Sequence, residues 1–279
     1  MAIRLLAIDL DGTLLDSRWQ VSDVNARALW KAHAIGVRIA FVTGRRYTFT
    51  RPHTTRFEFP HYLITSAGAS TRLGTGERLF RHPLRSTAVH DFLAFTRPIQ
   101  SSMFLVSDVD GAGELLCHQP RLSNPHAARY IESNRAFLTE VEDLVVGIGE
   151  DLLQIALLGG MDEMRAAVAL IEAFPQRSEF NLLRTEYPLR DFAMLDVLAA
   201  EINKGLALAE LASSLEVDRS EIMAIGDNHN DLDMLTFAGL PVIMANAQND
   251  LRTYGWPVTA SNDEHGVALA IERFILAGR

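Results

Sequence analysis

Asp9 and Asp11 stand two positions apart in Asp9-Leu10-Asp11-Gly12-Thr13, directly after the apolar run Ile3-Arg4-Leu5-Leu6-Ala7-Ile8. A buried strand ending there makes unpaired carboxylates costly. Two like charges about 4 Å apart repel by roughly 4 kcal/mol at an effective dielectric of about 20. A cation sharing the site removes that cost, and a hard, oxygen-preferring ion such as Mg²⁺ is the simplest. Taken alone, the same five residues equally describe a strand running into a polar Asp-Gly turn.

Three further polar groups join them: Thr43-Gly44 and Asp227 with Asn230 and Asp231 after comparable segments, and Lys204 at a helix start. Each has an ordinary reading. Thr43-Gly44 suits a strand-to-helix turn, Lys204 a solvated first helical turn, Asp227-Asn228 a turn, and Asn230-Asp231 a helix cap. Their order carries more than any one of them. In an open parallel sheet, ligands bind at the carboxyl ends of strands. If the strands are parallel neighbours, the four groups meet in one crevice. Carboxylates from Asp9 and Asp227 then suit Mg²⁺. The Thr43 hydroxyl and Lys204 ammonium suit phosphoryl oxygens, where such donors stabilise transition-state charge. One carboxylate can attack phosphorus, and a second can protonate the leaving oxygen and later deprotonate water.

The elements that position these groups alternate in type. Ile3–Ile8, Val37–Val42 and His61–Thr65 read as strands, and Ser22 caps a helix to about Ala34 with Gly36 past its end. A polar, arginine-rich segment after Arg45 reads as helical to near Pro52. Strands separated by helices argue for βαβ units and a parallel sheet. A hairpin-like turn is expected at Gly74–Gly76, and Pro83 marks a change of character. Between Leu84 and Tyr187, helical stretches (Ser86–Phe95, Asp162–Phe174) interleave with strands (Ser102–Val106, Asp151–Leu158, Phe180–Arg184). The alternation resumes after Pro188. Asn203 caps a helix over Lys204–Ser213. Strands are expected at Ile222–Ile225, Pro241–Met244 and Pro257–Thr259, and an amphipathic helix at Glu264–Leu276. The fold class is therefore α/β: a Rossmann-like core in two parts, residues 1–83 and 188–279, interrupted by an α+β insert at 84–187.

Composition bounds the rest. The 279 residues are 48% hydrophobic, enough for a substantial core. A net charge of −9 argues against nucleic acid as a partner. Cys117 is the only cysteine, so neither an intramolecular disulfide nor a cysteine-based zinc cluster can form. No apolar run reaches the roughly 20 residues that span a bilayer. A soluble cytoplasmic protein with no membrane partner is expected.

The motif residues resemble the haloacid dehalogenase-like hydrolase superfamily, and most of all its Cof-type phosphatases. Asp9-Leu10-Asp11-Gly12-Thr13-Leu14 is similar to the first motif, and Phe41-Val42-Thr43-Gly44-Arg45 to the second. Asn203-Lys204-Gly205 is similar to the lysine motif, and Gly226-Asp227-Asn228-His229-Asn230-Asp231 to the fourth. Ser261-Asn262-Asp263-Glu264-His265-Gly266 also fits that branch. The resemblance implies Asp9 as nucleophile and Mg²⁺ ligand. It implies Asp11 as general acid/base, with its backbone carbonyl on the metal. Asp227 would ligate Mg²⁺, while Asp231 would act through metal-bound water or by orienting Lys204. Thr43, Lys204, Asn230 and the backbone at Leu10 and Gly44 would hold the phosphoryl group. The insert would be a C2-type cap that selects a small phosphorylated metabolite, such as a sugar phosphate, with Arg45, Arg46 and Arg184 as candidate contacts. A phosphosugar mutase, or a phosphate-binding regulator without turnover, shares these residues.

Two departures stand out. The branch usually carries Ser-Asn-Gly-Ala where this chain has Ser66-Ala67-Gly68-Ala69, which removes an amide from a substrate or cap contact. It usually carries Met-Gly-Asn-Ala where this chain has Met244-Ala245-Asn246-Ala247. Alanine enters positive φ less cheaply than glycine, so a rearranged loop is expected there.

Overall fold

The computed structural model describes residues 2–120 and 124–277, and the first strand forms where the apolar run predicts it. In chain order the first part holds β1 (Leu5–Asp9), α1 (Asp23–Ala34), β2 (Arg38–Val42), α2 (Tyr47–Thr54), β3 (His61–Thr65), β4 (Ser70–Leu73) and β5 (Arg78–Arg81). The middle holds α3 (Ser86–Phe95), β6 (Met103–Ser107), β7 (Leu115–Cys117), α4 (Pro125–Ser133), β8 (Leu138–Glu140), β9 (Leu152–Gly159), α5 (Met161–Glu172), β10 (Phe180–Tyr187) and β11 (Phe192–Ala199). The last part holds α6 (Lys204–Ser214), β12 (Ile222–Gly226), α7 (Leu232–Phe237), β13 (Leu240–Ile243) and α8 (Gly266–Ile271).

The chain divides into two compact units, residues 1–80 with 203–279, and residues 81–202. The first contains a seven-stranded sheet of order β13-β12-β1-β2-β3-β4-β5. Its strands from β13 to β3 run parallel, and β4 turns back antiparallel on β3. Every residue of β1 is buried. Leu6 and Ile8 pack towards α1 and α8, beside Leu29, Ala32, Val267 and Ile271. Leu5 and Ala7 pack towards α6 and α7, beside Leu208, Leu211 and Leu235. Helices on both faces explain why β1 is continuously apolar rather than alternating. Ser22 caps α1, its hydroxyl accepting from the Asn25 amide at 3.2 Å.

The second unit contains a sheet of order β10-β11-β9-β6-β7-β8, antiparallel except for β7 with β8. Its end differs from the expected one at Tyr187. β11 pairs residue for residue with β10 and also with β9, so the strand following Pro188 continues the insert's sheet. Three smaller differences appear. α2 runs past Pro52 to Thr54. The segment at Pro257–Thr259 makes only an isolated bridge, Val258 to Ile243. The last helix begins at Gly266, after a short turn at Asn262–Glu264 and a left-handed His265, and its final turn is a π-turn.

Candidate active site

β1 lies between β12 and β2, so the carboxyl ends of three parallel neighbours stand side by side. Asp9 closes β1, Thr43 follows β2 and Asp227 follows β12. Lys204 is the first residue of α6, whose cap Asn203 accepts from the Leu206 amide at 2.8 Å. An ammonium at a helix N-terminus opposes the helix dipole, and Lys204 is fully buried. Two carboxylates offset both costs. Lys204 Nζ donates to Asp9 Oδ1 at 2.6 Å and to Asp231 Oδ1 at 2.6 Å. Burial alone would lower the lysine's pKa, but Asp231 and Asp9 reverse this and raise it.

Asp231 accepts from three donors, Lys204 on Oδ1 and two amides on Oδ2. Its Oδ2 accepts from the backbone amides of Asp227 (3.0 Å) and Asn228 (3.1 Å). It therefore pins both Lys204 and the loop after β12. Asp227 faces the first-motif turn, where Thr13 Oγ1 donates to its Oδ1 at 3.0 Å. Gly12 makes that approach possible. Its φ is +84°, and a Cβ there would lie 2.4 Å from Asp227 Oδ2. Asn246 closes the turn from behind, donating from Nδ2 to the Gly12 carbonyl at 2.8 Å.

Carboxylate oxygens of Asp9, Asp227 and Asp231 lie within 4.8 Å of one another. With Lys204 among them, the cluster carries two more negative than positive charges when all are ionised. Burial, then Asp231, raises the pKa of Asp9 well above the usual carboxylate range against the opposing pull of Lys204. Burial and Asp231 push Asp227 up to about 7, although the Thr13 hydroxyl and Lys204 oppose this. An all-oxygen donor set with this surplus of charge fits a hard divalent cation. Asp9 and Asp227 accept fewer hydrogen bonds than Asp231, which already holds Lys204 and two amides.

Thr43 is buried, and its Oγ1 accepts from the Arg45 amide at 3.1 Å, which leaves the hydroxyl proton available to a ligand. Leu10 buries its side chain. Gly44 is half-buried at the end of β2, and Asn230 is half-buried in the turn His229–Asp231. The structure thus gathers Asp9, Thr43, Lys204, Asp227 and Asp231 around the ends of adjacent strands.

Asp11 differs in surroundings. It is partly exposed, and Arg45 grips it with two donors: Nε reaches Oδ2 at 2.8 Å, and Nη2 donates to Oδ1. Arg45, a candidate cap or substrate contact from the sequence, engages the second carboxylate through its guanidinium. Arg46 is buried beside the Phe49 ring, and Arg184 lies on β10 with Glu172 at 3.6 Å. Thr13, Trp19, His53 and Asn246 are parts of this arrangement that the motifs left without a role. Thr13 carried a signal as the last residue of the Asp-Gly-Thr turn, and Asn246 as part of Met244-Ala245-Asn246-Ala247; Trp19 and His53 carried none.

The two departures have different consequences. Ser66, Ala67 and Gly68 are successive left-handed residues, with φ of 48°, 53° and 111°. The Ala67 amide nevertheless donates to the Thr43 carbonyl at 3.0 Å, and that of Ser66 to the Arg45 carbonyl at 2.8 Å. Ala245, by contrast, is not among the described residues of positive φ, so alanine is unstrained there.

The sequence profile of the haloacid dehalogenase-like hydrolases matches residues 6–271. The chain is 28% identical to phosphatase YwpJ of Bacillus subtilis, over 95% of this chain and 98% of that protein. It is 26% identical to the 5-amino-6-(5-phospho-D-ribitylamino)uracil phosphatase YwtE of the same organism, over 98% of each. A crystal structure of a haloacid dehalogenase-like hydrolase from Bacteroides thetaiotaomicron superimposes with a TM-score of 0.80 at 26% identity, covering 97% of this chain and 99% of that one. With a match spanning nearly its whole length, the chain belongs to the haloacid dehalogenase-like hydrolase superfamily, in its Cof-type phosphatase branch.

Proposed function

We propose that the protein is a Mg²⁺-dependent phosphatase of small phosphorylated metabolites, sugar phosphates among them, acting through an aspartyl-phosphate on Asp9. The observation that carries this reading is the cluster of buried Asp9 and Asp231, paired with one ammonium, and half-buried Asp227, with its surplus of negative charge. Asp9 and Asp227, with the backbone carbonyl of Asp11, would hold Mg²⁺, which when bound neutralises that surplus and offers positive charge to a phosphoryl oxygen.

The protein's own groups then have distinct tasks. Asp9 attacks phosphorus, its carboxylate oriented by Lys204 through Oδ1. Lys204, the Thr43 hydroxyl, Asn230 and the backbone at Leu10 and Gly44 stabilise the charge on the phosphoryl oxygens. Asp11 gives a proton to the departing alkoxide as the phosphorus–oxygen bond breaks. It then takes a proton from the water that hydrolyses the aspartyl-phosphate and frees inorganic phosphate. Asp231 keeps Lys204 in place.

Release of phosphate is measured from p-nitrophenyl phosphate and a panel of sugar phosphates, with Mg²⁺ and with EDTA. Wild type is expected to be active only with the metal. Asp9→Asn is expected to lose roughly a thousandfold or more in kcat, as removal of a covalent nucleophile does. Equal turnover by wild type and Asp9→Asn would falsify the assignment.

A further inference from the structure

Arg45 uses its whole guanidinium. Nε and Nη2 fork onto the Asp11 carboxylate, and Nη1 lies 2.7 Å from His53 Nε2. Arginine donates and never accepts, so His53 Nε2 presents its lone pair and the ring is neutral, with its proton on Nδ1. Burial, then the Arg45 cation, lowers the His53 pKa against the opposing pull of Asp11, which keeps that lone pair available. The guanidinium carbon also sits 4.8 Å from the Phe49 ring centroid and 5.1 Å from that of Trp19.

Trp19 is placed there at a cost. Its φ is +61°, a region that a bulky side chain rarely enters, and half its surface is exposed (52%). The turn around it is fixed by Asp16, whose Oδ1 accepts from the amides of Arg18 (2.9 Å) and Gln20 (3.0 Å), while the Trp19 amide donates to the Asp16 carbonyl at 2.9 Å. A turn that only reversed the chain would favour glycine or asparagine at that φ. Backbone strain of this kind persists where the surroundings enforce it, often at functional sites.

We propose that His53 and Trp19 are positioning residues for the acid/base step, holding the Arg45 guanidinium so that its fork fixes the Asp11 carboxylate beside the leaving group. The inference rests on the reading of Asp11 as the acid/base. His53 anchors the third nitrogen of the fork, and Trp19 and Phe49 confine its plane. Without them the Arg45–Asp11 pair can turn as a unit, and the carboxyl spends less time where the leaving oxygen departs.

The test uses leaving groups. p-Nitrophenolate departs without a proton, whereas phenolate and a sugar alkoxide need one, in rising order. kcat/KM reports steps only up to the first irreversible one, formation of the aspartyl-phosphate, so the later hydrolysis does not enter. His53→Ala and Trp19→Gly are expected to lose about tenfold in kcat/KM on phenyl phosphate and on the fastest sugar phosphate of the panel, a fraction of the roughly 10²–10⁴ that general acid catalysis supplies. They should change little on p-nitrophenyl phosphate. His53→Gln, whose amide oxygen can accept from Nη1, should recover most of the loss. Trp19→Gly relieves the left-handed strain, so its melting temperature should not fall, which a purely structural tryptophan would not allow. An equal loss on all three esters, no loss, or a gain on the basic leaving groups overturns the proposal. Asp11→Asn separates the two failures: it should show the same selectivity more strongly. If it shows none, the acid/base reading falls, and this inference with it.

Discussion

Lys204 is the residue on which most of the site's electrostatics converge. It is fully buried, and both of its partners are buried carboxylates. Removing one member of such a group strands the others in a medium that cannot solvate them. Lys204→Met keeps the volume of the chain and deletes the charge, and it should destabilise the fold by about 3–5 kcal/mol in EDTA. Urea unfolding followed by fluorescence reads this directly. The same variant should lose activity, since Asp9 loses its orienting donor. Added Mg²⁺ should recover part of the lost stability if the cation compensates the same carboxylates, because a ligand that binds only the folded state adds about 2.7 kcal/mol at a hundred times its dissociation constant. A loss below about 1 kcal/mol in EDTA would mean that the cluster is not strained by its charge, contrary to the argument above.

At the scale of elements, the site depends on how the β1 and β12 loops approach each other. Gly12 is where they meet: its φ is +84°, and an added Cβ would lie 2.4 Å from Asp227 Oδ2. Gly12→Ala should cost about 1–2 kcal/mol for the left-handed backbone alone. It should also displace the Asp227 carboxylate, so Mg²⁺ should raise the melting temperature less than it does in wild type. A Mg²⁺-dependent thermal shift as large as that of wild type would contradict this account of the turn. This level was largely legible in the sequence. β1, β2 and β12 are short apolar runs that lead into Asp9, Thr43 and Asp227, and Ser22 and Asn203 cap their helices as their positions predict. Parallel order then brings Asp9, Thr43 and Asp227 together without further information. The Arg45 fork was not legible, because it joins loops 34 residues apart and no periodicity links them. Nor was β11. Its residues Phe192-Ala193-Met194-Leu195-Asp196-Val197-Leu198-Ala199 include strong helix formers, and only pairing with β10 on one side and β9 on the other makes them a strand.

At the scale of the whole molecule, the two units differ in how the chain builds them. The unit that holds the site is discontinuous, whereas the other is one uninterrupted stretch, Arg81–Ile202. That stretch buries its own apolar surface. Leu84, Val89, Phe92, Ile155, Leu157, Ile171 and Val197 form one core with α3 and α5, and Phe104, Ala127, Ile131, Ala156 and Phe192 form another with α4 on the opposite side of the sheet. Its buried polar pair is also satisfied internally, Gln154 Nε2 donating to Asp196 Oδ1 at 2.6 Å. A sheet covered on both faces, in a segment within the usual domain length of about 100–150 residues, meets the requirements for independent folding. The sequence placed the end of this segment at Tyr187, which would cut β11 away. The energetic consequence separates the two boundaries. A fragment of residues 81–202 should unfold cooperatively in urea with a single midpoint and retain near-ultraviolet dichroism from its packed aromatic rings, Phe92, Phe174 and Phe180. A fragment of residues 84–187 lacks the strand that joins β10 to β9 and should show neither, because β10 then loses its pairing partner and the apolar face beneath it is exposed. Neither fragment should release phosphate from p-nitrophenyl phosphate, since Asp9, Thr43, Lys204 and Asp227 all lie in the other unit. Cooperative unfolding of the shorter fragment, or its absence in the longer one, would refute the assignment of β11 to this unit's fold.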